Sequence, residues 1–452
     1  MKAASIVCIY IRRAQKCDRR CSGRIFRKQS IAVDIYKKAM DAMDSEAARL
    51  KEIIRLDTEL STVQDLDILL ERILTEARSI THADAGSIYI KDGEDLVFSY
   101  AQNDTKQKSL PKGQKLIYLT FRVRINKKSI AGYVAATGET LIIPDVYEIP
   151  EESLYHFDSS YDKVTGYKTT STLTVPLKNN RGEIIGVLQL INKHNTRKEV
   201  ISFDEEDEVL CLHFASTASM ALQRAQLTRA LLLRMIAMAE LRDPGETGPH
   251  VNRVATYAIE IYEKWAQDRN IIPEEINKKR DVLRMAAMVH DVGKVAISDV
   301  ILKKPGKLTV KERALMKGHT YLGARLFVEK QSEFDEVASQ AALRHHENWD
   351  GTGYPGYIDV NSGKPIKTDS QGNVVGLKGE QIPIFGRIVA IADVYDALRS
   401  RRAYKEAWDR EDVLQEIRSQ TGKKFDPDVV DAFFSCIDVL ESIARRYPDP
   451  DG

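Results

Sequence analysis

Between residues 30 and 76 apolar side chains recur at helical spacing among many charges, as in Leu50, Ile53, Ile54 and Leu60 and again in Leu66, Leu69, Leu70 and Ile73. That spacing predicts helices with one buried face. The texture then shifts to short strand-like runs at residues 87–91, 96–102 and 141–144, and to a hairpin of residues 171–178 and 183–193 across the turn Asn179-Asn180-Arg181-Gly182. Ser202-Phe203-Asp204-Glu205 supplies the serine and glutamate of a capping box, predicting a helix that runs almost unbroken towards Asp243. From residue 251 to 440 the strand signal disappears, and helical patterns are broken by a Gly- and Pro-rich stretch at 351–383. The pattern predicts helices, short strands and a hairpin in the first half, followed by an all-α domain carrying one long loop.

A chain of 452 residues is too long for one core of ordinary size and predicts two or three folded units. Lys and Arg number 67 against 66 Asp and Glu, so no global field favours a nucleic acid polymer or a membrane, and specificity must come from local sites. Cys8, Cys17, Cys21, Cys211 and Cys436 form an odd set without paired spacing, which fits a reducing, cytoplasmic compartment better than a disulfide scaffold. Cys17 and Cys21 have no second close pair to complete a zinc set and read as ordinary thiols. Residues 6–11 form an apolar run too short for a membrane span, and the basic residues follow it, so neither a transmembrane nor a signal segment is expected. Residues 1–45 are expected to be a basic arm, partly disordered.

Five of the nine histidines, His250, His290, His319, His345 and His346, fall in the helical half. Across residues 281–295, Leu283, Met285, Ala286, Met288, Val289 and Val292 leave almost no polar face, so a helix there is expected to be buried nearly all round with His290 and Asp291 inside it. A carboxylate in such surroundings is costly unless paired, hydrogen-bonded or bound to metal, and the imidazole beside it favours metal. Leu315, His319, Leu322 and Leu326 share one helical stripe, which aims His319 at the core; alone it would read as an ordinary core histidine. His345 and His346 end a helical pattern before a turn-rich run, and Asp393 sits in an apolar helix with Asp396 one turn further on. Separate segments thus turn imidazoles and carboxylates inward, the convergence that a metal centre requires.

His290-Asp291 followed by Val292-Gly293-Lys294 looks like an HD motif with its lysine, and His345-His346-Glu347-Asn348-Trp349-Asp350-Gly351-Thr352-Gly353-Tyr354-Pro355 looks like the HHExxDGxGYP motif of the HD-GYP family. The chain resembles HD-GYP phosphodiesterases over about residues 228–445. The resemblance implies a helical HD-type fold and hydrolysis of cyclic di-GMP to pGpG, with onward hydrolysis to GMP left open. It places metal ligands at His250, His290, Asp291, His319, His345, His346 and Asp393. Glu246-Thr247-Gly248-Pro249-His250 is similar to the form in members that hold three metals rather than two, which would make Glu246 an eighth ligand; its other reading is an acid favoured by a helix N-terminus.

Imidazole and carboxylate donors without nearby thiolates suit two or three divalent transition metal ions, iron first and manganese next, with zinc also compatible. Asp291 and Lys294 are the expected catalytic residues: Lys294, one helical turn beyond Asp291, would bring an ammonium close to the cluster to hold a phosphate oxygen or balance a hydroxide, unless it is only an ion-pair partner. The resemblance points to Arg402 and Lys405 as phosphate or guanine contacts, against a solvated charged face. The glycines of 351–355 permit close backbone approach, and Tyr354 offers a ring face and a hydroxyl to a substrate wall. The same chemistry on another cyclic dinucleotide, and a catalytically silent nucleotide-binding regulator, are the competing readings.

Residues 66–221, ending in the hairpin, are similar to GAF domains, a resemblance that implies an α+β domain with a central antiparallel sheet backed by helices. The resulting organisation is a sensor at 46–222, a connecting helix at 223–243 and a catalytic domain at 244–448. Asn192-Lys193 with Phe203 and Asp207-Glu208 matches the spacing of the NKFDE motif of cyclic-nucleotide-binding GAF domains, yet a strand end and a capped helix would use the same residues. No cysteine stands where a bilin would attach and no close His or Cys set suggests haem, so the small-molecule ligand of the sensor stays open. Leu222, Leu227, Leu231, Met235 and Met238 recur at near-heptad spacing and predict a homodimer through the connecting helix. If Glu246 is a ligand, Glu246→Ala purified without oxygen carries less metal per chain by elemental analysis; unchanged stoichiometry makes it a helix-end acid.

Overall fold

Asp65 opens the first domain. Its carboxylate accepts the N–H groups of Asp67 (2.9 Å) and Ile68 (3.1 Å) and so caps helix α1 (Leu66–Thr81), whose Leu69, Leu70, Ile73 and Leu74 are buried. The computed structural model describes residues 54–55, 58–111, 116, 121–240, 248–399 and 408–448. The basic arm expected at 1–45, with Cys8, Cys17 and Cys21, lies outside the described residues; Cys211 and Cys436 are free and buried.

After α1 come β1 (Ala83–Asp92), β2 (Asp95–Asn103), α2 (Asp104–Ser109), β3 (Arg122–Arg124), α3 (Ile130–Thr137), β4 (Leu141–Ile143), α4 (Ser160–Thr165), β5 (Thr172–Lys178), β6 (Ile184–His194) and β7 (Val200–Ile201). The strands form one antiparallel sheet in the order β3-β2-β1-β6-β5-β4, with β7 paired to the end of β6. Register aligns Ile88 with Leu188 and Val175, and Gly86 with Leu190 and Leu173, so one face of the central strands is wholly apolar. Helix α1 lies against that face so closely that a Cβ on Gly86 would stand 2.8 Å from Leu74 Cδ1. The other helix on it is α5 (Glu205–Glu240), packed on β5.

The start of α5 differs from the expected capping box. Asp207 N–H donates to Asp204 Oδ1 (3.0 Å) and Asp204 N–H donates to Asp207 Oδ2 (2.9 Å), while Ser202 donates to Phe203 O. Ser202 directly follows β7, so the reciprocal cap falls to the acid that does stand one residue before the helix. Leu222 also departs from the expected seam: it is fully buried, because this half of α5 packs on the sheet domain. Leu227, Leu231, Met235 and Met238 are exposed, joined on the same helix by Val209, Leu212 and Met220.

The second domain is all-α: α6 (Gly248–Asp268), α7 (Pro273–Met288), α8 (Asp299–Leu302), α9 (Val310–Lys317), α10 (His319–Arg325), α11 (Glu333–Arg344), α12 (Ile384–Arg399), α13 (Arg410–Ser419), α14 (Pro427–Ser435) and α15 (Ile437–Arg446). Val254, Tyr257, Leu283, Ala286, Ile388, Ile391 and Phe433 meet in its core. The predicted long loop connects α11 to α12. Among the described residues no helix is long and apolar enough to cross a membrane.

An ionic contact holds α7 to the start of α1. Arg284, 1% exposed, donates to Asp65 Oδ2 (2.8 Å) and also pairs with Asp67, while Arg280 pairs with Glu71 (3.2 Å). Asp281 accepts the N–H groups of Gln64 and Asp65, and burial pushes its carboxyl up to about 6 against those hydrogen bonds. Removing one partner of a buried pair strands the other charge. Arg284→Ala is therefore expected to cost about 3–5 kcal/mol in chemical denaturation of the full chain. A loss within experimental error would mean that Asp65 and Asp67 are already satisfied without it.

Candidate metal centre

Helix α7 ends at Met288, and a turn carries His290 and Asp291 into the short 3-10 helix Val292–Ala296. The continuous helix expected over 281–295 is thus broken where the chemistry-bearing pair sits. Gly293 shows why: a Cβ there would lie 1.9 Å from His319 O and 2.4 Å from Gly323 N. Glycine lets this turn rest directly on α10, and the contact brings His319 Nε2 to 3.1 Å from Asp291 Oδ1.

The stripe expected to bury His319 does not exist. Leu315 is 60% and Leu326 56% exposed, the chain bends at Gly318, and His319 begins a new helix. It is nonetheless 2% exposed, since the glycine contact, not a leucine stripe, covers it. His345 and His346 follow the last turn of α11 and are brought alongside. His345 Nε2 lies 3.3 Å from Asp291 Oδ1 and 3.5 Å from His319 Nε2.

Backbone carbonyls fix the rings. His290 Nδ1 stands 2.8 Å from Ala287 O, His319 Nδ1 2.8 Å from Met316 O, and His345 Nδ1 3.0 Å from Ala341 O. A carbonyl only accepts, so each Nδ1 donates its proton, and a neutral ring then presents an Nε2 lone pair towards Asp291. Burial lowers the pKa of His345, and burial together with neighbouring His345 holds that of His346 well down, so these rings stay neutral. Burial pushes the Asp291 carboxyl up, but Lys294, 2.9 Å away, is the largest of the charges that oppose this, and the carboxyl is held well below the usual carboxylate range. Asp291 Oδ1 has no hydrogen-bond donor. Converging acceptors in a buried place repel unless a cation stands among them, so these residues fit a metal ion.

Among the described residues two groups have donor atoms within 4.8 Å of one another: Asp291, His319, His345 and His346, and separately His250, His290 and Asp393. Asp291 links them, because its Oδ2 lies 3.4 Å from His290 Nε2 while Oδ1 faces the first group. His250 on α6 faces Asp393 on α12 at 3.9 Å. Seven of the eight expected ligands are thereby brought together. Glu246, Arg402 and Lys405 lie outside the described residues.

Several further residues support these donors. Asp396, 1% exposed, accepts from His250 Nδ1 (2.8 Å) and from Arg253 Nε (2.6 Å), so it aims His250 rather than joining the donors. The signal for it was His250 and Arg253 three apart on one helix face. Glu347, 2% exposed, accepts from Arg344 Nη1 (2.9 Å) and from the Gly356 amide (2.8 Å), tying the ends of the 347–356 turn together. Gly353 closes it: a Cβ would stand 2.1 Å from Asn348 N. The turn lays Tyr354 against His346, ring centroids 4.8 Å apart, with Lys317 Nζ 4.7 Å from the Tyr354 centroid. Lys424, from the loop before α14, is near enough to Asp393 for that carboxylate to oppose the lowering of its pKa by burial.

Residues 247–398 match the HD domain family and residues 65–222 the GAF domain family. The chain is 38% identical over 204 residues to 3'3'-cGAMP-specific phosphodiesterase 2 of Vibrio cholerae, covering 45% of this chain and 34% of that protein. It is 39% identical over 219 residues to the cyclic di-GMP phosphodiesterase response regulator RpfG of Xanthomonas campestris pv. campestris, covering 48% and 50%. A cyclic di-GMP phosphodiesterase of Thermotoga maritima is 37% identical over 214 residues, covering 47% and 50%. The chain thus spans half or less of the length of these curated relatives. The broken helix at His290-Asp291 and the antiparallel sheet ahead of it accordingly belong to an HD domain and a GAF domain carried on one chain.

Proposed function

We propose that this chain is a metal-dependent phosphodiesterase of the HD-GYP type that hydrolyses cyclic di-GMP to pGpG, regulated by its GAF domain. The observation that carries the reading is the buried Asp291 Oδ1 facing imidazole nitrogens of His319 and His345 with no hydrogen-bond donor. Two relatives of similar identity named for cyclic di-GMP support the substrate. In this reading 46–222 is the sensor, 223–243 the connector and 244–448 the catalytic part.

Asp291, His319, His345 and His346 would hold one ion, and His250, His290 and Asp393 a second, with Glu246 the donor for a third. Iron is the first candidate and manganese the next, from the imidazole and carboxylate donors. Such ions, when bound, acidify a water and stabilise charge on phosphate oxygens. Lys294, held at Asp291, brings an ammonium to the edge of the centre where a phosphate oxygen can take a hydrogen bond. Tyr354, stacked on His346, forms a wall on which a base can lie, and Lys317 adds positive charge over the same ring. Arg402 and Lys405 would contact phosphate or guanine.

A second cyclic dinucleotide competes as substrate, because one relative of near-equal identity is named for 3'3'-cGAMP. Turnover of cyclic di-GMP, cyclic di-AMP and 3'3'-cGAMP by protein purified without oxygen separates the two: cyclic di-GMP is expected to be cleaved fastest, and preference for another reassigns the substrate. Asp291→Asn and His345→Ala should lose bound transition metal and lower kcat/KM about 100-fold or more. Full activity in metal-free wild-type protein would remove the metal from the mechanism.

The homodimer is assigned to the exposed stripe of α5, where Leu227, Leu231, Met235 and Met238 follow one another by steps of three or four. A stripe on one straight helix is self-complementary about a twofold axis, so a second copy of the chain is the partner it fits. Light scattering on the full chain should give a dimer, and Leu227→Asp with Leu231→Asp a monomer. A monomeric wild type would leave the stripe to another role.

A further inference from the structure

Apolar residues fill the α1-facing side of the GAF sheet, but the opposite side is built otherwise. Register sets Ser87 beside Gln189 and Gln189 beside Thr174, with Thr172 one row along next to Ile191. Four polar side chains on central strands point away from both helices, yet Ser87, Thr172 and Thr174 are at most 7% exposed. Ser87, Gln189 and Thr172 line a cavity of about 440 Å³ on this side. Its wall includes Phe98 and Phe121, stacked with centroids 4.5 Å apart, and Tyr161, 6.4 Å from Phe121.

Two features of this cavity bear on what it takes. Thr172 Oγ1 lines it, is 1% exposed as a residue, and has no hydrogen-bond partner. A buried hydroxyl left unsatisfied is costly, and a ligand donor or acceptor would relieve it. The Gln189 amide beside it is held only at long range, donating to Thr174 Oγ1 at 3.3 Å and accepting from Tyr89 Oη at 3.4 Å, so it too has capacity for a better partner. The charges lining the cavity are the second feature. Among its described lining residues there is no lysine or arginine, whereas Asp158 and Asp162 both line it. A phosphate placed there would be desolvated beside two carboxylates, with His156 but no lysine or arginine among the described lining residues to set against it.

The cyclic-nucleotide motif does not offset this. Asn192 donates to Tyr167 Oη (3.0 Å) and Lys168 O (2.8 Å), and Lys193 pairs with Asp204 (2.8 Å) and Asp207 (2.5 Å). These residues close the end of β6 onto the start of α5, and neither Asn192 nor Lys193 lines the cavity.

We propose that this cavity binds an uncharged, planar heteroaromatic molecule, stacked among the aromatic side chains with its polar edge on Thr172 and Gln189, and that it does not take a phosphorylated nucleotide. The inference is independent of the metal chemistry, since every residue in it belongs to the GAF domain.

Titration calorimetry on the full chain, with adenine and quinazolin-4-one as uncharged probes and cyclic AMP and cyclic GMP as anionic ones, tests this. At least one neutral probe should saturate at or below about 1 mM, with the cyclic nucleotides weaker by about tenfold or more. Thr172→Val, which removes the hydroxyl at constant shape, should weaken the bound probe about five- to tenfold while leaving Tm unchanged or raised. A structural hydroxyl would instead lower Tm without changing the probe. Cyclic nucleotides binding as tightly as adenine, probe affinity indifferent to Thr172→Val, a fall in Tm, or no saturation by either neutral probe would each overturn the proposal.

Discussion

The helical half depends on one backbone contact, Gly293 against His319 and Gly323. A side chain at 293 would have to displace the α10 backbone, because its Cβ would lie 1.9 Å from His319 O. With glycine, the turn after α7 and the first residue of α10 touch, and Asp291 and His319 come within 3.1 Å. The rest of the centre is arranged around that pair. Carbonyls of Ala287, Met316 and Ala341 take the Nδ1 protons, and Asp396 does the same for His250, so lone pairs point inward from several elements. Clustering acceptors in this way is unfavourable by itself, and the helical core that surrounds them holds them there.

The identities of the clustered residues were legible in the sequence; the reasons they cluster were less so. His290 and Asp291 were expected inside a buried helix and lie in the break after it. His319 was expected on an apolar stripe whose leucines turn out to be exposed. Both inferences reached the correct burial by way of the wrong local structure, because hydrophobic periodicity reports how apolar a segment is and does not register where a glycine stops the helix. The supporting parts of Asp396, read only as an inward carboxylate, and of Glu347 were not legible for a related reason. Their partners, Arg253 and the Gly356 amide among them, are set by tertiary packing, and a carboxylate that aims a ligand looks the same in sequence as one that binds.

In the sheet domain the hairpin of β5 and β6 was readable, since alternation and turn residues are local signals. The polar floor made by Ser87, Gln189 and Thr172 was not. Each is unremarkable in its own strand, and only cross-strand register, which joins residues about a hundred apart in β1 and β6, gathers them on one side. The contact between domains is equally non-local: Arg284 and Asp65 are 219 residues apart.

Helix α7 belongs to both halves of the argument. Arg280, Asp281 and Arg284 commit its middle to the cap of α1, and its C-terminal end opens directly into His290 and Asp291. Fewer than two turns of helix separate Arg284 from His290, and a hydrogen-bonded α-helix resists bending over so short a span. A displacement of α1 that moved Arg284 would therefore be absorbed at the break after Met288, where the bonds change from α to 3-10. That break is the same place at which the Asp291 carboxylate is balanced between Lys294 and the imidazoles. The backbone that leaves α7 at that break is thus also the backbone on which the donor geometry rests.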